Sequence, residues 1–449
     1  MMRLYLLQCH TGESKVKKNR YTPLLAAIAL LVVAAGCGGK TPAAEPPQGA
    51  SAGTEKQAPP PPPEPVKLTL YMQNAFPIQD LIVEAVRKKY PHITLEPLLR
   101  QKGQLPEDLV AAGTFPDLIY NSTPWYAEYI NLNVLQDLSG LVKSSGFDVS
   151  KLDPLAMDAI RMWGDKGELY ALPIYRNFAV MYYNKDLFDK FGVPYPKDGM
   201  TWKDAASLAG KLSRTDGGVV YKGLDASDSY SAMSQLTVPF VKPDGKANLQ
   251  DEKFGIALDN LKTIYTIPGN SRGNNMTDFY KGTLAMSTFW NVLGNFEDYH
   301  KKGVALNWDM VTMPTYEQAP GRSYQVDSHN MSISSLSKHK EAAFQVIAYL
   351  TSKEVQMEIS KNGYVSSLVD PEPQKAFGAN LESLKGKNVA AIFKLQSAPM
   401  YKVNAYDSLV RAELAKALTE VLAGSKDINS ALRDANDRAD KQLEMQKKK

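Results

Sequence analysis

Val66-Lys67-Leu68-Thr69-Leu70-Tyr71-Met72 reads as a β-strand, and the segment after it decides the fold class. From Ile78 to Lys89 the apolar residues Ile78, Leu81, Ile82, Ala85 and Val86 fall on one stripe, the period of a helix. Pro91 ends that helix, because the residue before a proline is pushed out of the helical region. His92-Ile93-Thr94-Leu95-Glu96 then begins a second strand. A third unit repeats the pattern, with a helix through Leu105–Ala112, a Gly113 cap and the strand Asp117-Leu118-Ile119-Tyr120. Strands spaced by helices of this length predict a mostly parallel α/β sheet. The alternation resumes after residue 180, with loops at Gly217-Gly218 and Pro243-Asp244-Gly245. Helices are expected at Trp202–Leu212, Phe254–Tyr265, Lys340–Leu350 and Tyr406–Leu422.

Upstream of the first strand the composition changes. Residues 38–66 are rich in Pro, Ala, Gly and Gln, with almost no apolar anchors, and cannot bury enough surface to fold. Their proline run favours an extended, semi-rigid tether. Before it, Lys15, Lys17, Lys18 and Arg20 precede an apolar run from Tyr21 to Ala35, and the run ends in Ala34-Ala35-Gly36-Cys37. A basic cluster, a short apolar core and small residues at a cut site make a secretory signal. The run is shorter than the roughly 20 residues a membrane-spanning helix needs. Cys37 in that setting resembles a lipobox, which implies lipidation of Cys37 and anchoring at the extracytoplasmic face of the membrane. A plain secretory signal is the competing account.

The same cut resolves the charge. The chain has 52 Lys and Arg against 48 Asp and Glu, and five and one of these lie in residues 1–36, leaving 47 of each. No basic surplus remains to attract nucleic acid. Of the two cysteines, Cys9 and Cys37, neither falls in the folded body, which must therefore be held by core burial rather than disulfides.

Motifs for reaction chemistry are missing: no nucleophile elbow, no Walker loop, no G-x-G-x-x-G after a strand and no H-E-x-x-H. His329 and His339 stand ten apart, no metal-ligand spacing, and read as surface or loop histidines. The acidic stretch Asp434–Asp440 lacks the turn glycine and distal glutamate of a calcium loop and reads as a solvated helix face. No metal, cofactor or enzymatic role is expected.

Four segments in order carry a resemblance. They are Ala111-Ala112-Gly113-Thr114-Phe115-Pro116-Asp117-Leu118-Ile119; Gly167-Glu168-Leu169-Tyr170-Ala171-Leu172-Pro173 with Met181–Phe188 and Phe191-Gly192-Val193-Pro194; Phe279–Met286; and Ser332–Phe344 with Leu350-Thr351-Ser352 and Gly363. Together they resemble the bacterial extracellular solute-binding proteins of the maltose-binding type, over most of residues 67–370. The resemblance implies a two-lobe, periplasmic-binding-protein-like α/β fold with a ligand cleft between the lobes. The expected division is a signal peptide over 1–36, a tether over 37–66, a first lobe of 67–178 and 322–366, and a second of 179–321 and 367–449. Crossings are expected near Pro173–Val180 and Arg322–Met331.

The resemblance also nominates ligand contacts position by position. Gln73 and Asn74 come directly after the first strand; Asn121, Ser122 and Trp125 come after the Pro-Asp strand. Trp290 and Asn291 lie beyond Ala285-Met286, and Tyr364 is next to Gly363. Asn177 stands where some relatives carry a hinge acid, and Arg176 beside it is a candidate bidentate partner for a hydroxyl pair or a carboxylate, with a hinge ion pair as the alternative. A flat ring can stack on the apolar face of a pyranose, so Trp125 and Trp290 are platform candidates, whereas Trp163, Trp202 and Trp308 are assigned to packing. The implied function is capture of a small solute, a sugar or oligosaccharide, by a monomeric lipid-anchored protein that serves the permease subunits of an ABC-type importer. The alternatives are a surface lipoprotein that senses or presents ligand without transport, and a surface carbohydrate hydrolase.

Overall fold

The computed structural model describes residues 63–447, apart from Ala75 and Pro77, so the signal, Cys37 and the tether up to residue 62 lie outside the described residues. In chain order the strands are β1 (Val66–Met72), β2 (Ile93–Leu99), β3 (Leu118–Ser122), β4 (Leu172–Arg176), β5 (Ala179–Asn184), β6 (Arg214–Asp216) and β7 (Val219–Asp225). They continue as β8 (Leu284–Trp290), β9 (Trp308–Val311), β10 (Arg322–Gln325), β11 (Ser328–Ile333), β12 (Val365–Ser366) and β13 (Gln396–Ala398).

β1 sits inside a six-stranded sheet of order β12-β4-β11-β3-β1-β2, and Leu68, Leu70, Tyr71 and Met72 are buried there. β2 is its edge. That position tolerates Pro97, whose missing N–H would break a ladder on an inner strand. The Pro116-Asp117 segment has a physical role: the Asp117 carboxylate accepts from the Thr69 backbone N–H and hydroxyl, each at 3.0 Å, and from Ser337 at 2.7 Å. One carboxylate thus ties β1, the start of β3 and the loop after β11.

The second sheet has the order β6-β7-β8-β5-β9. Its helix Trp202–Leu212 starts with a capping box between Thr201 and Asp204 and lies so close to β7 that a Cβ on Gly223 would overlap the Ala209 backbone. On one face of this sheet Phe254, Leu258 and Leu261 form a core with Val410, Leu414 and Leu418. On the other, Phe296 stacks on Trp308 at 3.8 Å and 11° beside Tyr182 and Phe279.

Neither sheet is mostly parallel. β1 pairs in parallel with β2, to which a single helical crossover joins it, and with β3, which follows β2 through a second helix. Strands that return from the other sheet, β11 above all, enter antiparallel to their neighbours, and β5 likewise pairs antiparallel with β8 and β9. The chain passes between the sheets at Asn177-Phe178 and at Val326-Asp327, and β10 and β13 form a short ribbon beside these passages. The change of lobe expected at residue 366 comes later. The helix Pro371–Lys375 still packs against the first lobe, where Ser360 donates to the Pro373 carbonyl and the Gly378 N–H donates to the Ser360 carbonyl at 2.9 Å. Leu381 and Leu384 then join the core around Phe296.

The acidic stretch near the C-terminus is a solvated face only in part: Asp437 is exposed and Asp434 pairs with Lys426 at the surface, but two of its residues turn inward. In the helix Ile428–Lys447, Asn436 accepts from the Leu249 N–H and Asp440 from the Ala247 N–H, at 2.9 and 2.7 Å. Those two side chains hold the 247–249 loop, whose backbone donors would otherwise be buried without partners.

Candidate functional site

The C-terminal ends of β1 and β3 and the two passages between sheets bring a set of aromatic rings together. The His329 ring lies flat on Tyr175 at 4.5 Å and 12°. Phe76 stands edge-on to His329 at 5.0 Å and to Tyr120 at 5.1 Å, and Tyr364 leans on Tyr175 at 4.8 Å. Tyr120, Tyr175 and His329 are buried, while Phe76 and Tyr364 are partly exposed and present the outer faces of the group. Such offset and edge contacts are favourable beyond the area they bury. Burial pushes the His329 imidazole down to about 3, so it is a neutral ring at physiological pH, and burial raises the Tyr364 hydroxyl to about 12.

Polar groups gather at the same ends of the strands. Asn121, buried at the end of β3, donates to the Gln73 side chain at 3.1 Å and to the Tyr129 hydroxyl at 3.3 Å, while its oxygen accepts from the Ser122 N–H. Asn121 therefore holds Gln73 in place. Asp327, in the second passage, is buried, and this burial raises its carboxyl to about 6 although Asn177 donates to one oxygen at 3.2 Å; the other oxygen has no partner. From the second lobe, Gln325 donates to the Tyr230 hydroxyl, and the Arg411 guanidinium lies over the Tyr230 ring at 3.8 Å. Trp290, at the end of β8, packs one side against Tyr324 at 5.2 Å and remains partly exposed.

The ten nominated contacts divide. Tyr364 joins the aromatic group directly, and Ser122, paired with His329, shares its face of the sheet, whereas Asn121 alternates with Tyr120 along β3 and turns with Gln73 toward Tyr129 on the other face; Asn177 donates to Asp327. Asn74 is exposed beyond β1, and Trp125, 52% exposed, stands on the turn after β3. Asn291 is a tie rather than a free amide: it donates to the Gly363 carbonyl at 2.9 Å and joins the end of β8 to the loop before Tyr364. Gly363 has φ +81°, and a side chain there would also strike Leu381. Arg176 does not face the rings. Successive side chains alternate across a strand, so Tyr175 points to His329 while Arg176 points away, with its Nε 3.2 Å from Asp153. The hinge ion pair is thus the arrangement present. Trp163, Trp202 and Trp308 are core residues, and Trp163 stacks on Tyr126 at 4.2 Å.

Sequence reasoning missed four members of the group: Phe76, Tyr120, Tyr175 and His329. His329 was expected at the surface or in a loop. It lies inside β11, paired with β3 on one side and β4 on the other, on the same side as Tyr175. A signal existed for Asp327, the acid of the second crossing. It accepts from the Asn177 amide of the first crossing. Among the described residues no cluster of His, Cys, Asp and Glu could hold a metal ion, and no helix is long and apolar enough to cross a membrane.

Comparison with known proteins places this arrangement. Residues 77–357 match the profile of the bacterial extracellular solute-binding proteins. The arabinooligosaccharide-binding protein of Bacillus subtilis is 25% identical over 297 residues, 61% of this chain and 66% of its own length. A Listeria monocytogenes ABC substrate-binding protein in complex with cycloalternan superposes with a TM-score of 0.68 at 21% identity, covering 85% of this chain and 99% of that one. The sugar-binding protein MalE of Xanthomonas citri gives 0.65 at 20% identity, with 85% and 98% covered. At these identities the structural likeness establishes the two-lobe fold. The profile match, spanning more than half of the chain, establishes the family: this chain is a bacterial extracellular solute-binding protein.

Proposed function

We propose that the chain captures a sugar or short oligosaccharide between its lobes and delivers it to the permease of an ABC-type importer, as a monomer held at the extracytoplasmic face of the membrane through a lipidated Cys37. The observation that carries the ligand class is the neutral aromatic group of Tyr175, His329, Phe76 and Tyr364, of which Phe76 and Tyr364 are partly exposed. Rings take the C–H face of a pyranose, and amides and hydroxyls take its hydroxyl edge. The site offers little to a strongly charged solute: its carboxyl, Asp327, sits among neutral donors. The named relatives that bind arabinooligosaccharide and cycloalternan support a carbohydrate.

Lobe closure around a ligand is a known switching mode, and Asn291 and Asp327 supply interlobe contacts that such a motion would make or strain. Isothermal titration of the mature chain against malto-, arabino- and manno-oligosaccharides and free hexitols is expected to give at least one saturable ligand, accompanied by compaction in small-angle scattering. Turnover of the bound sugar would replace this reading with a hydrolase. A cleft that binds none of the panel would remove it. Anchoring is tested separately: Cys37→Ser is expected to move the protein from the detergent phase to the aqueous phase.

A further inference from the structure

Behind the passages between the sheets, on the side turned away from the aromatic group, lies a cavity of about 400 Å³. Alternation fixes its place. Tyr175 and Tyr364 face the rings, whereas their strand neighbours Arg176 and Val365 line the cavity. Its apolar lining includes Leu155, Phe178, Val365 and Phe393, drawn from both lobes, and Asn177, whose amide is turned to Asp327, stands at the partition between the cavity and the aromatic group.

Its charge is unbalanced. Arg176 is neutralised by Asp153, but that carboxylate is shared, since Asp153 also accepts from the Ala156 N–H at 2.9 Å as a helix cap. The buried Arg176 Nε has no aligned hydrogen-bond acceptor. Arg322 donates only to neutral oxygens, the Gln396 side chain at 3.1 Å and the Ser397 carbonyl at 3.3 Å, and no carboxylate among the described residues lies within 4.0 Å of it. Two guanidinium groups against one shared carboxylate leave a cationic wall over an apolar floor. A guanidinium presents a planar fork of donors that a carboxylate satisfies in pairs.

We infer that this rear cavity is a second ligand site, separate from the cleft, for a small monoanion with an apolar body, an aryl or branched-chain carboxylate. Because its walls come from both lobes, an occupant there favours one lobe arrangement over another. The site does not depend on what the cleft binds.

The test uses the mature chain without sugar, titrated with benzoate, phenylacetate and isovalerate, and with benzamide and benzylamine as neutral and cationic controls. Saturable carboxylate binding is expected at up to millimolar concentrations, with neither control bound. Arg322→Gln is expected to weaken it by about tenfold or more, the loss of a charge-assisted pair. Gln396→Trp, which plugs the exposed mouth while keeping Arg322, is expected to abolish it, so the inference stays testable if one variant folds poorly. No carboxylate binding, equal binding of benzamide, or carboxylate binding unchanged in both variants would overturn it. Sugar titration of the same samples reads the cleft independently, so either site can fail while the other stands.

Discussion

Replacing Asp327 by Asn is expected to make the protein more stable at neutral pH and to leave it no more stable in acid. Burial raises the Asp327 carboxyl from 3.8 to about 6 in the folded chain. A group with a raised folded value binds its proton more tightly folded than unfolded. Stability therefore falls as pH rises from about 4 to about 6, where the unfolded chain has released this proton and the folded chain still holds it. At about 1.4 kcal/mol per pH unit, the gap corresponds to about 3 kcal/mol of stability present in acid and absent above about pH 7. The Asn side chain removes the charge and keeps an oxygen for the Asn177 amide, but its own N–H2 then stands where the carboxylate oxygen had no partner and is buried without an acceptor. The net gain expected at about pH 7.5 is thus smaller, about 1–2 kcal/mol. Denaturant midpoints of both proteins between about pH 4.5 and pH 7.5 measure this. Asp407, also raised to about 6 by burial, titrates in both proteins and cancels in the difference. Parallel pH profiles for the two proteins would refute the reasoning, because they would mean that the folded state solvates the Asp327 charge as well as water does.

Three further outcomes are expected. Tyr364→Ala removes the partly exposed ring that leans on Tyr175 and should weaken carbohydrate binding in calorimetry by about tenfold, about 1.4 kcal/mol, with the far-ultraviolet spectrum unchanged. Gly223→Ala drives a methyl group into the Ala209 backbone, which cannot rotate aside as a side chain can; a loss of about 3 kcal/mol is expected in denaturant unfolding. Asn291→Ala removes the amide that ties the end of β8 to Gly363, and native-state hydrogen exchange should show faster opening of the loop around Tyr364 while the core of the first sheet keeps its protection.

Much of the fold was legible because its signals are local. Pro91 and the apolar stripe of Ile78–Val86 predict a helix, and the structure has one over Gln79–Lys89. The helices Trp202–Leu212 and Lys340–Leu350 begin and end where the periodicity places them. Strand direction was not legible, since β11 is antiparallel only because it returns from the other sheet. The site divides in the same way. Gln73 and Tyr364 lie next to a strand or turn whose motif can be recognised, whereas Tyr175 and His329, separated by 154 residues of sequence, acquire meaning only when β4 and β11 pair.

From the sequence alone come the alternation of strands and helices, the balanced charge of residues 37–449 and the ordered motifs of the family, together with the expectation of an export signal ending at Cys37 and of a tether after it. Each rests on composition or on spacing within a few residues. The tertiary structure alone decided which side chains meet: that Arg176 turns from the rings to Asp153, that Asp327 meets Asn177 where the chain crosses between sheets, and that Asn436 and Asp440 hold a distant loop. These depend on register and on the face a residue takes. A one-residue shift in a strand reverses that face, and no local signal in the chain specifies it.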